Sequence, residues 1–448
     1  MNNREVICLH IGQAGVQLAS QVNELLTHEH GLSQEGKIIK KKYDELANNQ
    51  IETFFYESQK EEGKYYSRSL IADLDSIPVD EFRKTPYSDL FQSYQFQTGT
   101  RSAASNFAYG YKEGWEQYEW YIHDKIQKLA ETCDNLQGFV MFHSISGGTG
   151  SGLGALILDQ LTNFGKKVKT TFTLFPSTNM SNVITEPYNA LAGIRSLIDF
   201  SNISVVLQNE KLYDICHNSL DIEDPTYKNL NRVIAQGFSC MTHPMRFGGP
   251  ANSSLSEIQI NLIPFPQTHF LSLSMAPLVC PDTSKFSKYS IKQLTNSAFS
   301  HSNHLMDLTL DSGVYLGCSL MYRGDITLFE VSSALNKVSL SQCVGCNHVS
   351  AKISLNPNKL DVLPDGDIPE SDKSVLSITN HTGMRNLFTI MSEKYELIST
   401  NGAFKHWFSS EHMDYLSASE EELLTLIADY ADPPQEADPS DCGDENGY

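Results

Sequence analysis

The sequence predicts an α/β fold: a doubly wound, mostly parallel sheet, then a second α+β domain, C-terminal helices and an acidic tail. Three observations predict this order. Short apolar strands alternate with amphipathic helices through the first half of the chain, which is the pattern of strand–helix–strand units. After about residue 245 strands dominate, and the last stretch before the tail is helical again. The 448 residues, 40% of them hydrophobic, are enough for two or three packed domains.

The first half begins with the apolar stretch EVICLHIG, a predicted strand that turns at Gly12. The helix that follows carries apolar residues at helical spacing and is expected to end at Gly31. EPYNALAGIRSLI is a further predicted helix, and a longer one runs from about Lys228 to His243. The other predicted strands of this half are SRSLIADLD, GFVMFHSI, KTTFTLFP and ISVVLQN.

The second half contains strands in HFLSLSMAPL, GVYLGCSLMYRGD, SAKISLN and KSVLSIT, and then helices in HTGMRNLFTIMSEKYEL and SASEEELLTLIADYA. The last twenty residues carry seven carboxylates and no Lys or Arg, so we expect a disordered tail. The predicted units are a first domain at 1–227, a central core helix at 228–244, a second α+β domain at 245–385, C-terminal helices at 386–430 and the tail at 431–448.

Composition and charge exclude several classes of function. The formal net charge of −21 disfavours nucleic-acid binding, in which Lys and Arg must neutralise phosphates, and it suits basic partners. The chain has neither an apolar run long enough for a membrane span nor a leader of the secretory type, so we expect no membrane partner. Nine cysteines without such a leader predict reduced thiols in the cytoplasm. Cys343 and Cys346 lack the second pair typical of a metal site, which favours ordinary thiols there.

The stretch SISGGTGSGLG, residues 144–154, follows an apolar strand and opens a helix. It has no lysine, so it is not a Walker loop, and the first turn reads GQAG rather than GxGxxG. Its glycines allow backbone amides to converge on one anion, and Thr149 and Ser151 add hydroxyl donors. The turn therefore predicts a phosphate site, with an ordinary tight turn as the alternative.

Other polar residues follow the ends of predicted strands. They are Gln13, Asp73 with Asp75, and Asn209. Because strand ends in a doubly wound sheet meet at one edge, we expect them to lie near the phosphate turn. A carboxylate facing phosphates is a natural ligand for Mg²⁺, although Asp75 alone is equally compatible with a solvated turn.

The stretches GQAGVQ, GGTGSG, EPYN, YDIC, PTYKNLNR and NLIPFP occur in the order and near-spacing of the tubulins. The chain resembles the tubulin superfamily over essentially its whole length, and within it a divergent α-type. The α-like features are the long loop SLNPNKLDVLPDGDI, the terminal Tyr448, and Glu257 where β subunits have lysine. The resemblance implies a GTP-binding first domain, a GTPase, and a structural subunit of microtubules in the cytoplasm and cytoskeleton.

The resemblance also implies individual roles around GTP and Mg²⁺. It places Gln13 in the first phosphate loop, Glu186 at the ribose, Tyr227 stacked on the base, and Asp75 at the metal. It places Asn209 and Asn231 at the guanine edge, where an amide offers both a donor and an acceptor. The remaining implied nucleotide contacts are Ser144, Gly148, Thr149, Gly150 and Asn182.

Several positions depart from the tubulin pattern. Asp75 is one methylene shorter than the usual glutamate, and Asn182 stands where a threonine is usual. The loop TGTRSAASN replaces an acidic loop, so Ser102 and Ser105 are weaker candidates, while Arg101 adds a cation that is able to approach a phosphate.

Glu257 is the candidate catalytic residue. By resemblance it meets the GTP of the next subunit, a β-tubulin in a heterodimer or polymer, and orients or deprotonates water there. The alternative is a capping box, since Ser254 precedes Glu257 by three residues. Ser254 also replaces an aspartate of α-tubulins, and this predicts reduced hydrolysis.

The implied partners are β-tubulin, neighbouring tubulins laterally, and motors or microtubule-associated proteins. The lateral loop, residues 280–290, is altered but offers Phe286 as an anchor. Lys42 stands at the place of an acetylated lysine in an unusual context. Two alternatives remain: a non-polymerising tubulin-like GTP-binding regulator, and a nucleotide-dependent metabolic enzyme. The absence of a dinucleotide fingerprint disfavours the second.

Overall fold

Ten strands form one sheet within the part of the chain that the computed structural model describes. That part comprises residues 4–39, 49–177, 183–248, 254–284, 288–310, 313–335, 351–364 and 366–432. The strands are β1 (Glu5–Ile11), β2 (Phe55–Glu57), β3 (Tyr65–Ser67), β4 (Ser69–Asp73), β5 (Phe96–Thr98), β6 (Leu136–Ser144), β7 (Val168–Phe175), β8 (Ile203–Gln208), β9 (Phe270–Ala276), β10 (Tyr315–Gly324), β11 (Ala351–Asn356) and β12 (Lys373–His381).

The order across the sheet is β11-β10-β12-β9-β8-β7-β6-β1-β4-β5, with β2 and β3 as a separate hairpin. From β5 to β9 every neighbouring pair is parallel. β12 runs antiparallel to both β9 and β10, and β11 is again parallel to β10. The predicted mostly parallel sheet is therefore confirmed, and the strands of the second half continue it through the β8–β9 pairing.

The helices of the described residues cover both faces of this sheet. They are α1 (Gly12–Glu29), α2 (Ser76–Arg83), α3 (Phe107–Glu113), α4 (Glu119–Glu131), α5 (Gly154–Gln160), α6 (Glu186–Phe200), α7 (Asn209–Asp214), α8 (Tyr227–Arg246), α9 (Leu255–Leu262), α10 (Pro281–Ser284), α11 (Ile291–Ala298), α12 (Leu328–Leu335), α13 (Arg385–Thr400) and α14 (Ser410–Ala431). A π-helical turn at Thr149–Leu153 precedes α5. None of these helices is long and apolar enough to cross a bilayer.

The central strand β1 is buried along its whole length. Its side chains alternate between two apolar clusters, with Val6 and Cys8 in one and Ile7 and Leu9 in the other. Helices α1 and α8 contribute to the first cluster, whereas α5, α6, α13 and α14 contribute to the second. A parallel strand covered on both faces is expected to be apolar throughout, and this explains why EVICLHIG shows no polar face.

Two stretches differ from the predicted elements. The predicted strand SRSLIADLD is interrupted at Arg68, which lies between β3 and β4. Its buried guanidinium donates to Glu5 Oε1 at 2.9 Å, a partner 63 residues away that local pattern cannot indicate. The predicted core helix is longer than expected, because α8 begins at Tyr227 and ends at Arg246. Helices α2, α3, α4, α7, α10, α11 and α12 and strands β2 and β5 are not among the predicted elements.

Several predictions fall outside the described residues. They concern Lys42, Asn182, Phe286, the pair Cys343 and Cys346, and the tail from residue 433 to Tyr448.

Candidate functional site

The carboxyl ends of β1, β4 and β6 open onto a cavity of about 340 Å³, within the roughly 300–1,000 Å³ of typical small-molecule sites. The N-termini of α1, α7 and α8 complete its wall. The structure thus brings the predicted strand-end residues together at one edge of the sheet. The predicted site residues that line the cavity are Gln13, Asp75, Ser144, Gly148, Thr149, Gly150, Asn209, Tyr227 and Asn231.

Other candidates lie elsewhere or beside the cavity. Glu186 begins α6 and is mostly buried, but it is not among the residues that line the cavity. Ser102 and Ser105 do line it, whereas Arg101 is exposed and does not. The weaker candidates of that loop are thus closer to the site than its arginine.

The phosphate turn needs glycine because other backbone approaches it closely. A Cβ on Gly150 would lie 2.2 Å from the Ser144 carbonyl oxygen, and one on Gly148 would lie 2.5 Å from the Asn106 nitrogen. Gly12, with φ of +72°, faces the Gly150 nitrogen across the cavity floor. Gly147, in contrast, has open space where its Cβ would stand. Two of the glycines are therefore required for packing, while Gly147 leaves room on the cavity side.

Hydrogen bonds within the chain hold the phosphate turn in place. The Ser144 hydroxyl donates to the Leu174 carbonyl at 3.2 Å and accepts from the Ser146 nitrogen at 3.2 Å. His143 Nδ1 lies 2.9 Å from the Gly150 carbonyl, which can only accept, so this contact is a hydrogen bond when Nδ1 carries the ring proton. Burial lowers the pKa of His143 to about 4, and the ring is neutral at physiological pH.

Asn189 is a residue of this site that sequence reasoning missed, although it stands in the quoted stretch EPYN. Its fully buried amide donates to the carbonyls of Ser105 at 2.7 Å and Ser146 at 2.9 Å, and its oxygen accepts from the Phe107 nitrogen at 2.9 Å. The 101–106 loop and the phosphate turn are therefore joined by one side chain. Nothing in local pattern distinguishes this Asn from a surface residue of a helix.

The 101–106 loop has an uncommon backbone conformation. Ala104 and Ser105 have φ values of 48° and 54°, which L-residues with a Cβ rarely adopt. The Thr185 hydroxyl donates to the Ser105 carbonyl at 2.8 Å, in addition to the bond from Asn189. These bonds hold a strained loop in place, and strain of this kind clusters at ligand sites.

Two carboxylates face the phosphate turn. Asp75 Oδ1 accepts from the Ile77 nitrogen at 3.1 Å and so caps α2. Asp73 is only 3% exposed, and its Oδ1 accepts from the Asp75 nitrogen at 3.1 Å. Burial raises the pKa of Asp73 to about 6, although hydrogen bonds from the Asp75 nitrogen and the Thr149 hydroxyl oppose this. Asp73 therefore belongs beside Asp75 as a candidate cation ligand.

The electrostatics of the cavity restrict what it can hold. None of the described residues that line it is Lys, Arg or His, and two of them are carboxylates. A polyphosphate bound there must therefore rely on backbone amides and on a bound cation. Mg²⁺ fits this donor set, because it takes one or two carboxylates together with phosphate oxygens. The described residues include no group of three or more His, Cys, Asp or Glu arranged as an all-protein metal site.

The wall of the cavity also contains groups whose chemistry suits a base. Tyr227 is the first residue of α8 and is 57% exposed, so its ring is accessible for stacking. Asn231 lies one turn further along α8, and Asn209 is the first residue of α7. Thr226 and Asn229 form a reciprocal cap at the start of α8, which fixes the position of Tyr227.

Glu257 lies on α9 and does not line this cavity. The Ser254 hydroxyl accepts from the Glu257 nitrogen at 3.2 Å, so Ser254 caps the helix as one half of the predicted capping box. The Glu257 carboxylate pairs with Lys352, whose Nζ lies 2.5 Å from Oε2. Sequence reasoning missed Lys352, because it lies on β11, 95 residues from Glu257.

Family models match the two parts of the chain that carry these features. The model described as the Tubulin/FtsZ family, GTPase domain, matches residues 5–217, which include the phosphate turn, both carboxylates and Asn209. This chain belongs to the tubulin superfamily. The tubulin C-terminal domain matches residues 266–393, which include β9 to β12 and the start of α13.

Membership of the tubulin superfamily agrees with the fold and with the chemistry of the cavity. The GTPase-domain match makes the chain a member of a GTPase family. The central helix α8 lies between the two matched segments and carries Tyr227 and Asn231. The site thus combines residues from the matched GTPase domain with residues just beyond it.

Proposed function

We propose that this chain is an α-type tubulin subunit that binds GTP with Mg²⁺ and pairs head to tail with β-tubulin in microtubules. On this proposal its own GTP is structural, and its Glu257 acts on the GTP of the following subunit. The observation that carries the proposal is the cavity, whose wall combines an amide-rich, lysine-free turn with Tyr227, Asn209 and Asn231.

Each group of residues has a distinct task in GTP binding. The amides of the phosphate turn, the Thr149 hydroxyl and Gln13 bind the phosphates, since no basic side chain lines the cavity. Asn209 and Asn231 bind the guanine edge, and Tyr227 stacks on the base. Asp73 and Asp75 hold the Mg²⁺, which neutralises phosphate charge when it is bound. Asn189 holds the 101–106 loop and the phosphate turn together by its hydrogen bonds to both.

The α-type assignment is supported by the loop at residues 357–372. Asp367 in this loop accepts from Asn229 Nδ2 at 2.8 Å and from Arg232 Nη1 at 3.2 Å. The long loop is therefore fastened to the N-terminal turns of α8, next to Tyr227. Glu257, where β subunits have lysine, supports the same assignment.

The position of Glu257 supports a role in a neighbouring subunit. Its side chain is 42% exposed, and Ile260 on the same helix is 77% exposed, so α9 presents both charged and apolar surface. Glu257 is absent from the wall of the chain's own cavity, which agrees with a role at the GTP of another molecule. A head-to-tail contact of this kind does not close and therefore produces a filament.

Lys352 favours the weakly hydrolysing form of the proposal. The Lys352 ammonium, 2.5 Å from Oε2, holds Glu257 in an ion pair within its own chain and competes with water for that carboxylate. The aspartate that α-tubulins carry at position 254 is replaced by Ser254, which here caps α9. Both features are expected to slow hydrolysis across the contact, and this gives long-lived filaments.

The decisive experiment is co-assembly of the purified protein with β-tubulin, followed by nucleotide analysis and phosphate release. We expect one tightly bound GTP per chain, incorporation into polymer, and slower phosphate release than with a conventional α-tubulin. Glu257→Gln should abolish most of the release, while Glu393→Gln, an exposed residue of α13, serves as control.

The outcomes separate the candidate functions. A preparation without guanine nucleotide would reject the binding site. Nucleotide binding without incorporation would favour the non-polymerising regulator, and release unaffected by Glu257→Gln would reject the catalytic role. Whether the tagged protein lies along microtubules or stays diffuse gives an independent check in cells.

A further inference from the structure

A continuous line of buried polar side chains crosses the sheet from the phosphate turn to the loop behind α9. None of its members is more than 9% exposed. They come from β6, β7, the segment before β8, β8 itself and the residue before β9. In order, the line consists of His143, Thr173, Thr171, Ser204, Ser201 and His269. We call it the hydroxyl line.

Strand register explains why these residues meet. Thr171 and Thr173 are two residues apart on β7, so both point to the same face of the sheet. Thr173 pairs with His143 on β6, and Thr171 pairs with Ser204 on β8. The hydroxyls therefore form a stepped row, which passes between strands at His143–Thr173 and Thr171–Ser204 and runs along β7 between Thr173 and Thr171.

The first half of the hydroxyl line begins at the phosphate turn. His143 Nδ1 lies 2.9 Å from the Gly150 carbonyl, and His143 Nε2 lies 3.0 Å from the Thr173 hydroxyl. The Thr173 and Thr171 hydroxyls are 3.1 Å apart, and Thr171 lies 3.1 Å from the Ser204 hydroxyl.

The second half ends at the loop between α9 and β9. The Ser204 and Ser201 hydroxyls are 2.8 Å apart, and the Ser201 hydroxyl lies 3.0 Å from His269 Nε2. His269 Nδ1 lies 2.9 Å from the carbonyl of Pro266. Pro266 follows the helix that carries Glu257 by four residues, so the line joins the two functional regions of the proposed GTPase.

The line has too few protons to satisfy every link. Seven hydrogen-bond links run from the Gly150 carbonyl to the Pro266 carbonyl, but the two neutral imidazoles and four hydroxyls supply one proton each. Both ends of the line are carbonyls and cannot donate. At least one link is therefore always without a proton. The Ser201 hydroxyl also donates to the Leu197 carbonyl at 2.7 Å, outside the line, and a second link is unfilled while that bond is made.

His269 is the group best placed to change state. Its Nδ1 faces the Pro266 carbonyl at 2.9 Å, and its Nε2 faces the Leu197 carbonyl at 3.1 Å as well as Ser201. Burial lowers its pKa, so the ring is neutral and carries a single N–H. Only one of the two carbonyls can receive that proton, which makes the two tautomers competing states.

We propose that Thr171 and His269 are positioning residues that couple the phosphate turn to the loop behind α9 through the hydroxyl line. The trigger of this coupling rests on the proposed nucleotide site. An anion on the turn polarises its peptide groups and makes the Gly150 carbonyl a stronger acceptor. The hydroxyls then turn toward His143, and the Ser201 hydroxyl exchanges the Leu197 carbonyl for Ser204. The vacated carbonyl and the Ser201 oxygen then accept from His269 Nε2, so the single ring proton of His269 moves from Nδ1 to Nε2 and the bond to Pro266 is lost. Occupancy of the site thereby loosens the loop behind Glu257.

The test reads the histidine tautomers directly, by ¹⁵N NMR of protein labelled at histidine. Thr171→Val removes the central hydroxyl with little change of shape and separates the line into two halves, of which the half with His143 has enough protons for both of its links. Thr170→Val is the matched control, because Thr170 is adjacent and equally buried, and its hydroxyl has no hydrogen-bond partner among the residues that the structure describes. Thr171→Ser restores the hydroxyl and should restore the wild-type spectrum.

In the wild type we expect at least one of His143 and His269 to divide its proton between both ring nitrogens. In Thr171→Val the His143 ring should carry its proton fully on Nδ1, whereas Thr170→Val should match the wild type. Adding GTP should move His269 away from the Nδ1–H form in the wild type and leave it unchanged in Thr171→Val.

Two results would overturn the coupling: histidines that already carry the proton fully on Nδ1 in the wild type, or tautomers unchanged by Thr171→Val. Circular dichroism of each variant confirms that it is folded, and Thr171→Ser supplies the answer if the valine variant is not. Absence of bound GTP, measured separately, would reject the nucleotide site and with it the trigger of the coupling. The comparison of Thr171→Val with the wild type would still decide whether the two histidines are coupled.

Discussion

Replacing Gly148 by alanine tests whether the phosphate turn is packed as tightly as its geometry indicates. The new Cβ would lie 2.5 Å from the Asn106 nitrogen and 2.7 Å from the Asn106 carbonyl oxygen. Both atoms belong to the backbone, at the residue that caps α3 and ends the strained 101–106 loop. Since ordinary contact begins near 3.4 Å, the turn and the loop must separate by about 0.9 Å.

The expected cost follows from this displacement. Forcing an extra methyl group into packed structure costs about 1–3 kcal/mol. If this free-energy cost disfavours the conformation of the turn that binds nucleotide, GTP affinity falls about 5- to 150-fold. Each 1.4 kcal/mol corresponds to a factor of about ten in affinity. The neighbouring Gly147 provides the contrast, since an alanine there meets open space on the cavity side.

The assay measures denaturant unfolding and GTP affinity for Gly147→Ala and Gly148→Ala side by side. Gly148→Ala should lose about 1–3 kcal/mol of unfolding free energy. Gly147→Ala should keep wild-type stability but bind GTP more weakly, because its Cβ enters the space proposed for the phosphates. If Gly148→Ala unfolds like the wild type, the argument from close packing is refuted; if Gly147→Ala binds GTP normally, the phosphates lie elsewhere.

Three further predictions concern other parts of the molecule. Asn189→Asp keeps the acceptor for the Phe107 nitrogen but removes both donors. GTP affinity, measured by calorimetry, should therefore fall at least tenfold, whereas the surface substitution Asn401→Asp should leave it unchanged. Burial lowers the pKa of His381 to about 4, so the unfolded chain gains a proton near pH 6.5 before the folded one does, and stability is lost as pH falls from 6.5 towards 4. His381→Asn, which keeps an acceptor for the Gly383 nitrogen, should therefore reduce the loss of unfolding free energy between pH 7 and 5 by about 2 kcal/mol; an unchanged pH slope would contradict this. Lys352→Met should raise phosphate release in co-polymers by freeing Glu257, and a fall in release would mean that the ion pair positions the carboxylate for catalysis.

Local pattern was sufficient for most of the secondary structure and for the location of the site. The fully buried strand β1, the glycine turn after β6 and the long helix α8 each carry their signal within a few neighbouring residues. The rule that strand ends meet at one edge was also sufficient to predict that Gln13, Asp75 and Asn209 converge there. These inferences need only periodicity and backbone conformational preference, which are properties of the chain itself.

Only the tertiary structure decided which distant side chains meet. The pairing of Glu257 with Lys352 spans 95 residues, Asn189 reaches back 82 residues to the Phe107 nitrogen, and the hydroxyl line depends on the register of three strands. The continuation of the sheet from β8 into β9 was likewise set by packing. A hydrophobic pattern specifies which face of a strand is buried, but it does not specify which polar group the neighbouring strand places opposite. Those partners follow from register and from the requirement that buried polar groups be hydrogen-bonded, and both are properties of the folded molecule.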